Sequence, residues 1–419
     1  MTDRELESVG AFRGRARAWL AENMPRADAA SGKGTAGDDE DSAEQVSRGR
    51  ELQRLLFDGG FAGILYPREY GGQGLTVEHQ RAFLEEAAEY ALPRLFSVTH
   101  GILGPTLLDH GSEEQKRRHI PAMLRGEELW VQFLSEPSGG SDMAGVLTRA
   151  TRDGDTYIVS GAKTWSTGAH FSDYAMVLCR TDWEAPKHRG LSMILMPIRS
   201  EGVTVRPIKL ANGSAHFCEE FLDEVVLPSE NIIGRQNDGW TVASRLLFHE
   251  RNMVGGNSYN DHAREAKTSD GEDPLISLVR GVERAKDPTV RQLLGEAIVL
   301  SHLPGHTAER VNAGMRTGRI PGPGASLLKL LSALSGYRRH EIALEIAGER
   351  AAIWSAGDDT SHVGVEWLVA RSATVAGGTN EMQRNQISER VLGLPREASP
   401  DKGIPFKQVQ HNSQALRRG

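Results

Sequence analysis

A chain of 419 residues, 39% hydrophobic and 25% charged, is typical of a globular protein with a large core, and its formal net charge of -7 argues against nucleic acid as the main partner. No apolar run reaches the roughly 20 residues that span a bilayer, and the N-terminus lacks the apolar stretch of a signal peptide, so we expect a cytoplasmic protein without membrane contact. Cys179 and Cys218 fit no CxxC pattern, so we expect two reduced thiols and neither a metal site nor a disulfide framework.

Helical patterns occupy the first 127 residues. Phe12, Ala16 and Leu20 fall on one face of a 3.6-residue period, which predicts an amphipathic helix near the start of the chain. Ser112 and Gln115 have the spacing of a capping box, in which each side chain bonds the other residue's backbone N–H, and so predict the start of another helix. We therefore expect an N-terminal helical domain over residues 1–127.

The pattern changes near residue 128 to short segments that are rich in β-branched residues and bounded by turns. They predict strands at 156–161, 174–179, 191–198, 203–208 and 225–228. We expect a central, mainly antiparallel β domain over residues 128–235.

The helical period returns near Asp238 and predicts a C-terminal helical bundle over residues 236–397. Its helices are expected at TVASRLLFHERNMV, at 288–316, 325–355 and 360–375, and around EMQRNQISERVL. Polar, Gly- and Asp-rich stretches at 27–44 and 257–274 predict loops, and 398–419 predicts a flexible tail. Helices, then strands, then helices make an α+β fold in which a sheet domain lies between two helical parts.

Two motifs near the start of the β domain combine residue types that suit a ligand. FLSEPSGGSDMAG (133–145) leaves backbone N–H groups free to converge on an anion, and Ser135 and Ser141 add hydroxyl donors. In GAKTWSTGAHFSDYA (161–175), Trp165 and Thr167 would face the same side of a strand, where an indole beside a hydroxyl can back a flat heteroaromatic ring. Taken singly, the first motif is better explained as an ordinary turn, and the second as a core tryptophan beside a surface threonine.

A third motif, AGGTNEMQRNQISERVLGLPRE (376–397), is a tight turn leading into a helix. It suits an anion at the helix N-terminus, and simple capping by Thr379 and Asn380 is the alternative. In residue types, order and spacing, the three motifs together resemble the acyl-CoA dehydrogenase family over about residues 50–397. The family pattern is a Ser/Thr-Glu-Pro-x-x-Gly-Ser-Asp run, a Gly-x-Lys-x-Trp-x-Thr run, and a Gly-Thr-x-Glu/Gln-x-x-Arg run that ends in Leu-Gly-Leu-Pro.

The resemblance implies an N-terminal helical domain, a central β domain, a C-terminal helical bundle and an FAD cofactor. It implies dehydrogenation of an acyl-CoA thioester, with an electron-transfer flavoprotein as the acceptor. The cofactor-binding positions that it implies are Gln132, Leu134, Ser135, Gly140, Ser141, Trp165, Ser166, Thr167, Thr379 and Glu381. Ser141 is also implied to contact the CoA portion of the substrate.

The reaction needs one carboxylate to take the α-proton of the thioester, held in an apolar pocket that strengthens it as a base. Many relatives carry this base two residues before the threonine of the C-terminal turn, where this chain has Gly377. Isovaleryl-type and long-chain-type relatives place it on the first long C-terminal helix, immediately before an arginine. The resemblance therefore implies Glu250 as the base and Arg251 as a substrate-side residue, whereas His249 points about 100° away on a helix and is predicted to be structural.

The chain departs from the family at the adenosine end of the cofactor. It lacks the family's Arg-x-x-Phe-Gly run, and Glu345, Gly348 and Glu349 stand where relatives carry a Gln-x-x-Gly-Gly turn. Some actinobacterial relatives that act on sterol side chains are tetramers of unequal subunits, and the chain is similar to their base-carrying subunit. Several alternatives stay open. The assembly is either a homo-oligomer or a heterotetramer with a related subunit. The chain could also be a non-catalytic partner subunit or an O₂-using flavoenzyme, and the substrate could be bound to an acyl carrier protein.

Overall fold

The computed structural model describes residues 6–27, 42–254, 272–352 and 361–409. Helices, an eight-stranded sheet and further helices follow one another along the chain, as the predicted α+β fold requires. Most of the two predicted loops at 27–44 and 257–274 lies outside the described residues, as do residues 353–360 and the end of the chain from residue 410.

The N-terminal helices bury the faces that the sequence predicts. Phe12, Ala16 and Leu20 are fully buried in the first helix. The capping box is confirmed: Ser112 N–H donates to Gln115 Oε1 at 3.0 Å, and Gln115 N–H donates to Ser112 Oγ at 3.1 Å. The helices are α1 (Val9–Asn23), α2 (Ala43–Asp58), α3 (Val77–Glu86), α4 (Gly104–His110) and α5 (Glu113–Leu124).

The sheet contains every predicted strand and three that were not predicted, β1, β2 and β8. Its strands are β1 (Trp130–Phe133), β2 (Arg149–Asp153), β3 (Thr156–Thr167), β4 (Tyr174–Arg180), β5 (Leu191–Pro197), β6 (Val203–Ile208), β7 (Phe217–Pro228) and β8 (Ile232–Ile233). They lie in the order β6-β7-β3-β2-β4-β5-β8, with β1 alongside β4. The predicted mainly antiparallel sheet is confirmed, and the exceptions are β1 and β2, which both run parallel to β4. The 15 residues from Leu134 to Thr148 that separate β1 from β2 allow this crossover, which a tight hairpin does not.

The C-terminal part consists of α6 (Gly239–Val254), α7 (Pro274–Gly281), α8 (Pro288–Arg316), α9 (Ala325–Ala347), α10 (Ser361–Ala370) and α11 (Asn380–Gln386). Helix α8 has the predicted bounds, whereas α9 ends eight residues earlier than the predicted residue 355. The reason is Gly348, whose φ of 59° is a left-handed conformation that ends a helix. Among the described helices, none has both the length and the apolar character needed to cross a bilayer.

A single hydrophobic cluster joins the three parts of the fold. It contains Tyr66 and Leu124 from the N-terminal part, Met176 and Met193 from the sheet, and Leu246 from α6. Because these side chains are buried against one another, α6 is held firmly against the sheet and α4. The residues that α6 directs toward the sheet are therefore placed by packing from both sides.

The first part of the predicted flexible tail is ordered, which corrects that expectation for residues 398–409. Phe406 is fully buried, with the Arg180 guanidinium carbon 3.5 Å from its ring centroid. The Phe406 and Lys407 N–H groups donate to the carbonyls of Ala185 and Trp183 at 3.0 and 3.1 Å. The sequence around this phenylalanine is polar, so only its tertiary neighbours make it a core residue.

Candidate active site

Glu250 lies near the C-terminal end of α6 and is half-buried. Its Oε2 atom accepts a hydrogen bond of 3.3 Å from the Gln132 side-chain amide on β1. Burial raises the pKa of the Glu250 carboxyl, and the Gln132 donor with the charges of Arg251 and Lys329 opposes that rise. A carboxylate with a raised pKa and a single hydrogen-bond donor suits a general base.

Gly377 lies directly beside this carboxylate, so the two positions considered for the base meet in space. A Cβ atom at Gly377 would lie 3.3 Å from Glu250 Oε1 and 3.5 Å from Lys329 Cε. The Gly377 φ of 66° is also a left-handed conformation that disfavours any other residue. The turn thus leaves room for the Glu250 carboxylate where many relatives carry their own.

His249 points away from Glu250, as predicted for a structural residue. Its Nε2 atom lies 2.8 Å from Asp109 Oδ2 on α4, and Arg245 Nε donates to the same oxygen at 2.5 Å. Burial lowers the pKa of His249. Arg251 is half-buried, and burial also lowers its pKa.

A buried ion pair that the sequence analysis missed organises the loop after β1. Glu136 Oε1 lies 2.9 Å from Lys163 Nζ, and their exposed fractions are 5% and 0%. Backbone groups surround the pair: Glu136 accepts from the N–H groups of Leu147 (2.7 Å) and Thr148 (2.8 Å), and Lys163 donates to the carbonyls of Leu134 (3.1 Å) and Leu178 (2.7 Å). Burial by itself would raise the pKa of Glu136, but Lys163 and these donors lower it. The signal that could have found the pair is that Glu136 and Lys163 are charged residues within the two motifs FLSEPSGGSDMAG and GAKTWSTGAHFSDYA.

The predicted anion loop is exposed at its tip and anchored at its base. Gly140 and Ser141 are exposed, and a Cβ atom at Gly140 would lie 3.4 Å from Ser135 Oγ. The Ser135 carbonyl accepts from the Thr164 N–H at 3.0 Å. The Leu134 side chain lies in the hydrophobic core, so only its backbone is available to a ligand. The structure therefore brings Ser135, Gly140 and Ser141 together beside β3.

Trp165 lies on an irregularity of β3, with a φ of 68° where the pairing with β7 shifts register. Its side chain is 56% exposed and meets Phe217 edge to face at 6.0 Å, and Thr167 is exposed as well. The Ser166 side chain departs from the expected position against the flavin, because strand alternation turns it to the buried side of the sheet. There its hydroxyl donates to Glu220 Oε2 at 3.0 Å, and burial raises the pKa of Glu220 to about 8.

Thr379 caps α11, with its Oγ1 accepting from the Met382 N–H at 3.2 Å, so the capping alternative is present in the structure. Glu381 is exposed, and its carboxylate lies 3.5 Å from the Arg384 guanidinium. Neither side chain is among the groups that contact Glu250.

A continuous set of contacts links Glu250 to Trp165. Gln132 touches Glu250, and three residues further along the chain Ser135 bonds the backbone of Thr164, which precedes Trp165. The Gln132 side-chain oxygen is buried and has no hydrogen-bond partner within the described residues. An exposed indole suits the face of a flat ring, and an unpaired polar atom suits a polar ring edge, and a flavin has both.

Comparisons with known proteins agree with this arrangement. The family model described as acyl-CoA dehydrogenase, N-terminal domain, matches residues 7–127. The middle-domain model of that family matches residues 132–225, and the C-terminal-domain model matches residues 237–392. The matched segments follow the helical, sheet and helical parts of the fold in order.

The chain is 36% identical over 402 residues to the acyl-CoA dehydrogenase IpdE1 of Mycobacterium tuberculosis, covering 94% of this chain and 100% of the relative. Among solved structures, the Tcur3481-Tcur3483 steroid ACAD superposes with a TM-score of 0.73 at 28% identity, covering 95% of this chain and 100% of the other. The ChsE4-ChsE5 complex from Mycobacterium tuberculosis superposes with a TM-score of 0.67 at 26% identity, with the same coverage of 95% and 100%. This chain therefore belongs to the acyl-CoA dehydrogenase family of flavoprotein oxidoreductases.

Proposed function

We propose that this protein catalyses the FAD-dependent α,β-dehydrogenation of an acyl-CoA thioester, with Glu250 as the base that takes the α-proton. The observation that carries the proposal is the position of Glu250: it is half-buried, accepts from one donor among the described residues, and borders the space over Gly377. No other carboxylate among the described residues contacts that space.

Glu250 suits proton abstraction because burial raises the pKa of its carboxyl, and a base of higher pKa removes a carbon-bound proton more readily. Gln132 holds one carboxylate oxygen by donating to it, and the other oxygen faces Gly377. When bound, the flavin supplies the acceptor for the β-hydride. Arg251 follows the base directly and adds a positive charge on the substrate side.

The residues proposed to hold the cofactor are exposed or lie at the contacts described above. Trp165 offers a flat apolar face, and Thr167 offers a hydroxyl on the exposed side of β3. The remaining positions proposed for the flavin, its phosphates or the CoA are Gln132, Leu134, Ser135, Gly140, Ser141, Ser166, Thr379 and Glu381. Ser166 and Leu134 would contribute through their backbone, since their side chains are buried.

The substrate is proposed to carry a bulky acyl group of the steroid type, and the chain is proposed to work with a related subunit. The named steroid ACAD and the ChsE4-ChsE5 complex support both proposals. Val299, Leu303 and Leu334 expose apolar side chains on α8 and α9, which a neighbouring subunit could cover. Glu345, at the position of the missing adenosine-end turn, is paired with Arg338 at 3.0 Å. The electron-transfer flavoprotein as acceptor and the cytoplasmic location stay predictions.

The test is anaerobic reduction of the flavin-loaded protein by a panel of acyl-CoAs that includes a steroid side-chain acyl-CoA. We expect the wild type to bleach its flavin absorbance and Glu250→Gln to lose at least ~10³-fold in rate, the usual size of a general-base contribution. Glu309→Gln makes the same chemical change at an exposed position of α8 and should keep the wild-type rate.

Equal rates for the wild type and Glu250→Gln would remove Glu250 as the base. A wild type that binds the acyl-CoAs but leaves its flavin oxidised would instead favour the non-catalytic partner subunit. Size-exclusion chromatography with light scattering, on the chain alone and co-expressed with a related subunit, tests the assembly. A fully active homomer with one FAD per chain would contradict the need for that subunit.

A further inference from the structure

Glu250 is approached from α9 by a buried lysine that the family motifs do not include. We propose that Lys329 is a positioning residue whose charge, beside the space over Gly377, favours the ionised form of the Glu250 carboxylate. This inference rests on the proposed role of Glu250, but it concerns a different residue and is tested by a separate measurement.

The space over Gly377 brings the two side chains together. A Cβ atom at Gly377 would lie 3.3 Å from Glu250 Oε1 and 3.5 Å from Lys329 Cε, so the carboxylate and the end of the lysine side chain border the same small volume. A larger residue at this position would separate them. The absence of a side chain at Gly377 thus allows both the base and its neighbouring cation to approach.

The Lys329 ammonium is fixed by the turn that leads to Gly377. Lys329 is 7% exposed, and its Nζ atom donates to the Ala373 carbonyl at 2.6 Å. Burial lowers the pKa of Lys329, and Glu250 is the carboxylate whose charge opposes that change. An ammonium is costly to bury without a counter-charge, so each member of the pair favours the ionised form of the other.

Other charged and titratable groups lie on α6 itself and on the elements packed against it. On α6, Arg251 is the other cation near the carboxylate, and its charge lowers the Glu250 pKa more than the charge of Lys329 does. On α4, Asp109 is already engaged by His249 and Arg245. On the turn at residues 99–103, burial lowers the pKa of His100 to about 4, and its Nε2 lies 2.9 Å from the Met123 carbonyl oxygen. Lys329 is therefore the cation that a neighbouring helix contributes to the base.

The two oxygens of Glu250 then have different neighbours. Gln132 donates to Oε2 from β1, and Lys329 approaches from the side of Oε1. The amide and the cation both favour the charged carboxylate, and burial opposes it. Removing Lys329 leaves burial less opposed, so the Glu250 pKa should rise and less of the base should be ionised near neutral pH.

The experiment is a ¹³C NMR titration of the full-length, flavin-loaded protein labelled at the glutamate carboxyl carbons. The Glu250 signal is assigned by its loss in Glu250→Gln. We expect Lys329→Met to raise the titration midpoint of Glu250 by about one pH unit or more, the usual effect of losing a nearby opposite charge. Lys329→Arg keeps a positive charge and should restore the wild-type midpoint to within a few tenths of a unit. Lys329→Gln replaces Lys329→Met if the latter does not fold, and we expect it to raise the Glu250 midpoint by a similar amount.

The pH dependence of flavin reduction by the best acyl-CoA of the panel gives the second readout. In Lys329→Met, the part of the profile where the rate rises with pH should shift to higher pH, together with the Glu250 midpoint. Below that midpoint kcat should be reduced, and KM should change little. An unchanged midpoint with a folded, flavin-bound protein would overturn the role of Lys329. That result is distinct from failure of the proposed function, which would appear as an active Glu250→Gln.

Discussion

Glu136 is a buried carboxylate and Glu250 a half-buried one, each near a lysine, and the two are held very differently. In the β domain, Glu136 and Lys163 form a direct ion pair, and backbone groups bond both side chains. In the C-terminal part, Glu250 has one side-chain donor among the described residues, at 3.3 Å, and Lys329 donates to a backbone carbonyl. The pKa of Glu136 is lowered, whereas the pKa of Glu250 is raised.

The difference shows that the effect of burial on the pKa of a carboxylate depends on how many hydrogen-bond donors and counter-charges surround it. A carboxylate that accepts several hydrogen bonds is stabilised as the anion and becomes a weak base. A carboxylate with few donors in a desolvated cleft keeps its affinity for a proton. The first arrangement suits a loop that must be rigid, and the second suits a group that must take a proton from carbon.

The largest stability effect is expected from breaking the pair of Glu136 and Lys163. Lys163→Met leaves Glu136 buried without its counter-charge, which should lower the free energy of unfolding by roughly 3–5 kcal/mol. Guanidinium denaturation of the purified protein measures this change. Lys407→Met, at an exposed lysine, is the control and should cost less than about 1 kcal/mol. A loss at Lys163 no larger than that of the control would mean that the pair does not organise the loop.

The Phe406→Ala variant tests how much the C-terminal segment stabilises the protein by packing the Phe406 ring on the buried Arg180 guanidinium. The Arg180 guanidinium donates to the Ala144 carbonyl at 2.6 Å and stacks on the Phe406 ring. Removing the ring should cost about 3 kcal/mol, the usual size of a buried phenylalanine truncation. Thermal unfolding would measure it, with Leu394→Ala at an exposed leucine as the control. Wild-type stability in a protein truncated after residue 397 would contradict the structural role of this segment.

Glu220 is a further buried carboxylate, and it extends the comparison to pH dependence. Its pKa is raised from 4.5 to about 8, so the folded protein keeps a proton that the unfolded chain releases. Stability from this residue is therefore present at low pH and is lost as the pH rises from about 5 to about 8, by roughly 3 kcal/mol. Glu220→Gln should gain in stability relative to the wild type over that range, as measured by denaturation at several pH values. A difference that does not change with pH would show that Glu220 is ionised in the folded state.

The smallest change in stability is expected at Gly377. Comparing Gly377→Ala with Gly318→Ala separates the effect of backbone strain from the effect of contact with Glu250. Gly377→Ala places a side chain at a left-handed residue and should cost about 1–2 kcal/mol. Gly318 has a similar φ of 69° and no atom within 4 Å of a Cβ there, so Gly318→Ala carries the same strain without a contact. Only Gly377→Ala should also slow flavin reduction, because its methyl group would press on Glu250. Equal activity in the two variants would mean that Glu250 has room to move.

Much of the local structure follows from the sequence. The helical face of Phe12, Ala16 and Leu20 and the capping box of Ser112 are short-range patterns, and the structure contains them as predicted. The strands missed were β1 and β8, of four and two residues, which are too short to carry a periodic signal, and β2, an exposed five-residue strand with one buried side chain. The three motifs with the spacing of the acyl-CoA dehydrogenases were sufficient for the family, and the choice of Glu250 over Gly377 as the base stays a prediction.

By itself, the sequence determined the order of helices and strands and the family, because each follows from short patterns of neighbouring residues; Glu250 as the base stays a prediction. The tertiary structure alone decided that Gln132, Glu250, Lys329 and Gly377 meet, that Glu136 pairs with Lys163, and that Phe406 is buried. Contacts across tens to hundreds of residues leave no periodic pattern in one sequence. Their effect on a carboxylate depends on how many donors reach it once the chain has packed.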